Sequence, residues 1–417
     1  MKRADLQFHK TATFSMGMFV SWMLIVYALS YHPFITESYL PASVRIGIEG
    51  GVLFLLVMIN LRYQYIVNIV WFIPVVLIFG CTLFLEMDTF IKLVSSFNKL
   101  AFLILTIGLL NGNRGVLNTC TKMWVQLSYF LCIMAILAFF GYATKIIPFS
   151  PMYLGESVSG MEDGSYYLHN AMLGNLIPRQ LFGIDFGRVA GFMYEGGMLG
   201  VVLGLNILMA RDWIEDPKKR KRFVWLNFIA GITTLSTTFF LFFSLYYLVN
   251  RLGEKVLNPR VGTFAFLFLG VLLIVFILGS DYFEQTSGSV RFERMAMYLN
   301  IVESSTWLTF LLGNGVGITI DKFGIGLDSG WLAILVERGV IMMVFVVILY
   351  ATHTKHNWWL MLYIFYANFA FNLFWDPSFL LVVAMSYACF NYNKKRSVVP
   401  VYQDHLYSDS SRGMLQR

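Results

Sequence analysis

Charge is what this chain has least of. Only 13% of its 417 residues are Asp, Glu, Lys or Arg, against 58% hydrophobic and 17% aromatic, and the mean hydropathy is +0.66. So few charges cannot cover a water-facing surface, which excludes a sizeable soluble domain and places most of the chain in lipid. Cysteine is scarce as well. Cys81, Cys120, Cys132 and Cys389 lie in or beside apolar runs without metal-ligand spacing, so neither a disulfide framework nor a metal site is expected. Strict apolar/polar alternation is missing, which excludes a membrane β-barrel. No P-loop, His/Cys cluster or Ser-His-Asp constellation occurs. No internal repeat is visible either, which weakens the case for a secondary transporter.

What is present is a series of continuous apolar runs: 14–31, 44–61, 66–86, 93–112, 123–144, 189–210, 223–249, 261–279, 330–351, 357–375 and 377–391. The first follows the basic segment Met1–Lys10, has no convincing small-residue cleavage site, and is expected to be a retained signal-anchor. The formal net charge of +7 is concentrated in Arg211–Arg222 (RDWIEDPKKRKR) and Asn393–Arg396 (NKKR), both beside apolar runs. That is the positive-inside pattern with attraction to anionic headgroups, so membrane lipid is an expected partner and nucleic acid is not.

With Lys2, Arg3 and Lys10 inside, the connections holding Arg62, Arg114, Lys122 and Arg211–Arg222 are cytoplasmic. Two long connections, 145–188 and 280–329, are then external. The run 223–249 upsets the count, because a single crossing puts Arg251, Lys255 and Arg260 outside. A break near Gly231–Thr238 (GITTLSTT) with a return restores it. The run is too short for two full spans of ~20 residues each, so two half-helices or a re-entrant hairpin are expected, hydroxyls satisfying the freed backbone. One long tilted helix is the alternative. The expected fold is all-α, a polytopic membrane protein of about twelve helical spans. A single helical domain, 1–391, carries both external loops and is followed by a cytoplasmic tail, 392–417, with both termini inside.

Several charges fall within or beside the apolar runs. Arg45 and Glu49, four apart, can pair on one helix face. Glu86 and Asp88 read as interfacial. In Gly187–Leu199 (GRVAGFMYEGGML), Arg188 and Glu195 are seven residues apart and would share a face of one helix. Glu195 then lies roughly 10 Å into that span, as a tether between helices or as the wall of a polar cavity. In Ser289–Met295 (SVRFERM), Arg291 and Arg294 present two guanidiniums along one helical face, a donor geometry suited to pyrophosphate or to lipid headgroups. Leu311–Gly317 (LLGNGVG) is a Gly-rich turn unlike a phosphate loop. Asp328-Ser329-Gly330-Trp331 opens a span, and Glu337 and Arg338, about two turns in, must face protein or water.

These patches, in this order, resemble the O-antigen polymerase (Wzy-type) family, which is related to the O-antigen ligases. The resemblance rests on Arg188, Gly191, Phe192, Glu195 and Gly196, then on Arg291, Arg294 and Gly313–Gly317, and last on Asp328, Ser329 and Gly339. It spans roughly Arg188 to Tyr350 together with the two large loops. The ligases carry His, then Asn, Ser or Gln, nine residues and Gly; here Ser329 and Gly339 keep that register while Asp328 stands in the His place, which disfavours ligase. An Arg followed by ten residues and Gly, ascribed to some polymerases, is not met by Arg179, Arg188, Arg291 or Arg294.

The resemblance implies a glycosyltransferase at the periplasmic face of a bacterial inner membrane. It would join undecaprenyl-pyrophosphate-linked oligosaccharide repeat units, as in lipopolysaccharide O-antigen or related polysaccharide synthesis. A chain-length regulator and a flippase of the same pathway are the implied protein partners. Arg188, Arg291 and Arg294 would neutralise the pyrophosphate, Glu195 or Asp328 would take the proton from the attacking hydroxyl, and Glu337 and Arg338 would support the site. This scheme requires neither cofactor nor metal. A ligase and a lipid-linked oligosaccharide transporter are the alternatives.

Overall fold

The computed structural model describes residues 17–29, 42–86, 90–146, 151–155, 166–169, 174–181, 184–191, 193, 196–256, 296–323 and 329–398. Helices dominate. They are α1 (Gly17–Leu29), α2 (Ala42–Arg62), α3 (Phe72–Phe84, after a 3-10 turn), α4 (Phe90–Gly112), α5 (Arg114–Ala143), α6 (Gly196–Trp213), α7 (Pro217–Thr233) and α8 (Thr237–Val256). After these come α9 (296–303), the short α10 (Trp307–Leu312) and α11 (Ile318–Phe323), then α12 (Gly330–Thr354), α13 (Trp358–Ala370) and α14 (Pro377–Val398). Lys92–Gly112, Arg114–Ala143 and Gly330–Thr354 are each long and apolar enough to cross a membrane.

Large apolar side chains face outward as well as inward. On α5, Phe130, Ile133, Leu137 and Phe140 form a stripe with three- and four-residue spacing, each between 45% and 56% exposed. The opposite face buries Trp124 and Ser128. There the Trp124 Nε1 donates to Asn206 Oδ1 on α6 at 2.9 Å, and Asn206 Nδ2 donates to Ser128 Oγ (3.0 Å) and to Asn227 Oδ1 on α7 (2.9 Å). Asn227 Nδ2 closes the network on the Phe223 carbonyl at 2.9 Å. Every polar group in this chain of contacts has a partner, so it clamps three helices without an unpaired donor. An apolar exterior around a polar-stapled interior is the arrangement a lipid solvent requires. α14 is the axle: Leu380, Leu381, Val382, Val383, Ala384 and Met385 are all 0% exposed, so helices surround it on every side.

The run 223–249 is broken where the hydroxyl-rich stretch foretold. α7 ends at Thr233 and α8 starts at Thr237, with Leu235 at φ 47° between them. A continuous helix would hold Phe228 and Tyr247 about 28 Å apart, yet their ring centroids are 5.5 Å apart. The two helices therefore fold back on each other.

Three expectations need correction. The chain is not purely helical, because the connection after α5 carries a four-stranded antiparallel meander: β1 (Pro151–Gly155), β2 (Tyr166–His169), β3 (Gly174–Leu181) and β4 (Ile184–Gly191). β3 and β4 pair along their whole lengths with Leu181 opposite Ile184. Among the described residues β2 reaches only Asn175, so Pro178 lies where β3 has no β2 partner and its missing N–H interrupts no ladder on that edge. Second, α5 starts at Arg114 rather than near 123, because the Asn113 side chain caps it, its Oδ1 accepting from the Val116 amide at 3.1 Å. Third, Arg188 and Glu195 do not share one helix. Arg188 belongs to β4, the strand ends at Gly191 (φ 58°), and α6 starts only at Gly196.

Gly196, Gly200 and Gly204 line one face of α6 at four-residue spacing, leaving room for the Thr234 carbonyl at Gly196 and for the side chains of Ser236 and Tyr363 at Gly200 and Gly204. The Tyr363 hydroxyl donates to the Gly200 carbonyl at 3.2 Å, and a methyl at Gly204 would overlap that hydroxyl. Gly204→Ala is therefore expected to cost about 1–3 kcal/mol by overpacking. Gly50→Ala on α2, where nothing lies within 4 Å, should not destabilise the protein and is expected to stabilise it by up to about 1 kcal/mol. Thermal unfolding of the purified variants in one detergent compares them, and equal melting temperatures would refute this account of the α6 face.

Candidate functional site

Four chain segments meet at one end of the bundle. Arg188 reaches from β4 to the helix break, its Nε donating to the Thr234 carbonyl at 3.0 Å. The break makes this contact necessary, because a backbone that stops being helical inside an apolar bundle exposes carbonyls that water cannot reach. Hydroxyls take up the rest: Thr233 Oγ1 and Thr234 Oγ1 each donate to carbonyls one turn back (Ala230 and Gly231, both 2.7 Å), and Ser236 Oγ accepts from the Phe239 amide at 3.3 Å. Gly196, the first residue of α6, lies directly under the Arg188 side chain and the Thr234 carbonyl. Its neighbour Gly197 abuts the Phe371 ring, and the Phe371 carbonyl accepts from the Gly330 amide at 3.1 Å. Ser329 Oγ, buried, donates to the Asn368 carbonyl at 3.3 Å. Strand β4, the tip of the α7–α8 hairpin, the start of α12 and the end of α13 thus form one mouth around the first turn of α6.

The connection from α13 to α14 floors this region. Asp376 caps α14, accepting from the amides of Ser378 (2.9 Å) and Phe379 (3.1 Å) and from the Ser378 hydroxyl. Asn368 Oδ1 accepts from the Leu373 amide at 3.0 Å, whereas the buried Asn372 Oδ1 has no partner.

A second polar cluster lies two turns along α12, where Ile334–Arg338 widens to a π-helical turn ending at Gly339 (φ 75°). The wide turn releases carbonyls, and the Gly-rich segment Leu311–Gly317 supplies the donors. The Asn314 amide (2.9 Å) and side chain (3.1 Å) donate to the Val336 carbonyl, and the Gly315 amide donates to that of Glu337 at 3.2 Å. Side chains at Gly313 or Gly339 would collide with the facing backbone, and both positions have positive φ, so glycine is needed twice. The Glu337 carboxylate accepts from the Gly317 amide at 2.9 Å. These amides are committed to α12, so the Gly-rich turn is a brace for a π-turn rather than an anion cradle. Arg338, 2% exposed, donates to Ser96 Oγ on α4 at 2.6 Å and lies over the Phe79 ring, 5.0 Å from its centroid. Lys92, one turn before Ser96, donates to the Val316 carbonyl at 2.7 Å and pairs with Asp321 at 3.5 Å.

Of the residues singled out in the sequence, Arg188 is at the mouth, while Glu337 and Arg338 belong to the π-turn. Glu195, Arg291, Arg294 and Asp328 lie outside the described residues. Ser329, next to Asp328, is at the mouth with Arg188. Lys92, Ser96, Asn368 and Asp376 were not anticipated. Asp376-Pro377 carries a recognisable signal, a capping carboxylate before proline at the first helical position. Ser96 and Lys92 carry none, because their partners are more than two hundred residues away.

Glu337→Leu removes the acceptor of the Gly317 amide and is expected to cost about 1–3 kcal/mol. Glu337→Gln keeps a carbonyl acceptor and should retain most of that stability. Melting curves in detergent decide the matter: a Gln variant as unstable as the Leu variant would show that the brace does not depend on this hydrogen bond.

In comparisons with known proteins, no family model matches the chain, and neither a curated protein nor a solved structure matches it.

Proposed function

We propose that this protein is a polytopic inner-membrane glycan polymerase, joining polyprenyl-pyrophosphate-linked oligosaccharide repeat units at the periplasmic face. The observation that carries the reading is the position of Arg188. Its guanidinium is anchored by the Thr234 carbonyl where β4, the α7–α8 break and the first turn of α6 meet. A fixed guanidinium at the edge of an apolar bundle suits a substrate whose tail is lipid and whose head is a dianion.

In the proposed reaction the hydroxyl oxygen of the acceptor sugar attacks the anomeric carbon of the donor glycan. The bond from that carbon to the pyrophosphate oxygen breaks, and the pyrophosphate leaves with the electron pair. Arg188, Arg291 and Arg294 offset its charge, and Glu195 or Asp328 takes the hydroxyl proton. The lipid tail lies against apolar helix surface. Glu337 and Arg338 hold the π-turn in shape and contribute through position.

A second reading, a transporter of lipid-linked oligosaccharide, is favoured by the α7–α8 break, since interrupted helices line many transport paths. The two differ in product: purified protein mixed with lipid-linked repeat units in detergent micelles yields oligomers if it is a polymerase and only unchanged units if it is a transporter.

Arg291→Ala is expected to leave protein abundance within about twofold of wild type, whereas Arg188→Ala, which also unpairs the Thr234 carbonyl, should lower it; per unit of folded protein both should collapse long glycan chains to single repeat units, a loss of at least ~100-fold in polymerisation if each arginine contributes about 3 kcal/mol to charge stabilisation. Gel profiles of extracted glycan read the outcome, and wild-type laddering from both variants would sink the assignment.

A further inference from the structure

The opposite end of the bundle carries a separate concavity. There Asn391 Nδ2 donates to Asn111 Oδ1 at 3.1 Å and the Tyr392 hydroxyl to the Asn111 carbonyl at 2.9 Å, joining the last turns of α14 and α4. Beside this junction α5, the α6–α7 connection and α14 line an open cavity of about 560 Å³, its charged side chains at Arg114, Lys122, Glu215 and Lys219 exposed, a volume typical of small-ligand sites. Arg114 and Lys122 line it from α5 and Lys219 from α7, together with Asp212 from the last turn of α6 and Glu215 and Asp216 from the connection. Asp216 is committed to capping α7 through the amides of Lys218 and Lys219. Among the described residues, none of the three cations forms an ion pair with Asp212 or Glu215. Opposite charges are therefore held apart across a cavity instead of neutralising each other. Burial raises the Asp212 carboxyl above its ordinary range, opposed by the neighbouring Arg211. Trp213, in the same lining, has a buried indole N–H without an acceptor.

A lining with separated cations and carboxylates and little net charge disfavours a simple anion or a simple cation. It suits a ligand that carries both signs a few bonds apart. The cavity lies where the exposed apolar stripe of α5 gives way to charged helix ends, the level of lipid headgroups. We propose that it binds a phosphoethanolamine zwitterion, Arg114 and Lys122 taking the phosphate and Asp212 and Glu215 the primary ammonium. A phospholipid headgroup is the expected source, and free O-phosphoethanolamine presents the same chemistry. This inference does not depend on the reading given for the other end.

The test is lipid retention by the full chain, measured by native mass spectrometry after exchange into a mixture of phosphatidylethanolamine, phosphatidylcholine and phosphatidylglycerol with identical acyl chains. Phosphatidylethanolamine should be retained at least about fivefold over both others, the preference over phosphatidylcholine reporting the ammonium N–H donors. Asp212→Asn with Glu215→Gln should abolish that preference. Arg114→Ala with Lys122→Ala should lower phosphatidylethanolamine retention, and Lys355→Ala, away from the cavity, should change nothing. Competition by millimolar O-phosphoethanolamine identifies the free zwitterion as sufficient; retention that resists it identifies the lipid as the ligand. Equal retention of the three lipids by wild-type protein overturns the proposal, and that comparison stands even where a variant fails to fold.

Discussion

A freed backbone carbonyl inside an apolar bundle needs a partner from the chain itself, and at Thr234 that partner is Arg188. Water would offset such a group at the surface of a soluble protein; within hydrocarbon it would cost several kcal/mol unpaired. The break in the α7–α8 hairpin creates the need, β4 brings the guanidinium, and glycine at 196 leaves the room for it to cross the first turn of α6. The sheet, the hairpin and the helix are tied together by that bond. The π-turn of α12 repeats the solution with different parts. Its released carbonyls at Val336 and Glu337 are taken by amides of the Gly-rich segment, and Gly313 and Gly339 allow the two backbones to touch.

The same constraint explains how the helices are held. Lipid tails are as apolar as leucine, so burying apolar surface adds little to helix association in a membrane, and close packing with satisfied polar contacts must do more. The Asn206 network and the glycine face of α6 are those two devices on adjacent sides of one helix. Over that glycine face the Phe242 ring packs against Tyr363, centroids 4.4 Å apart, within an aromatic group that includes Trp359 and Tyr366. α6 is therefore the element through which motion at the mouth would reach the middle of the bundle.

Much of the helical layout was legible in the sequence because each apolar run is long and uniform, and length alone identifies such helices. The α7–α8 break was legible from charge parity and from a cluster of hydroxyls, two independent signals at one place. The meander was not. Its strands are four to eight residues long and set between segments without apolar periodicity, so their pairing is decided by tertiary contacts. Missing the sheet produced the error about Arg188 and Glu195: a helix was extended back through Arg188, which lies in a strand. The π-turn was invisible for a related reason. Nothing in Ile334–Arg338 distinguishes it from an ordinary helix until Gly313 and Gly315 arrive from another segment.

Two arginines that look alike in sequence now separate by what surrounds them. Arg338 is enclosed, with Phe79 beneath its guanidinium and Ser96 at one nitrogen, so a pyrophosphate could reach it only by displacing packed helices. Arg188 is half-buried at the junction of a strand and a helix start, held through Nε, the nitrogen farthest from the tip of the guanidinium. Anchoring at Nε fixes the orientation of the planar fork. An arginine fixed in this way loses little rotamer freedom when a dianion arrives, which favours recognition by a preorganised group over recognition by a mobile surface charge. In the proposed reaction, the hydrogen bond that Arg188 makes to the backbone break would also hold its guanidinium ready for the pyrophosphate.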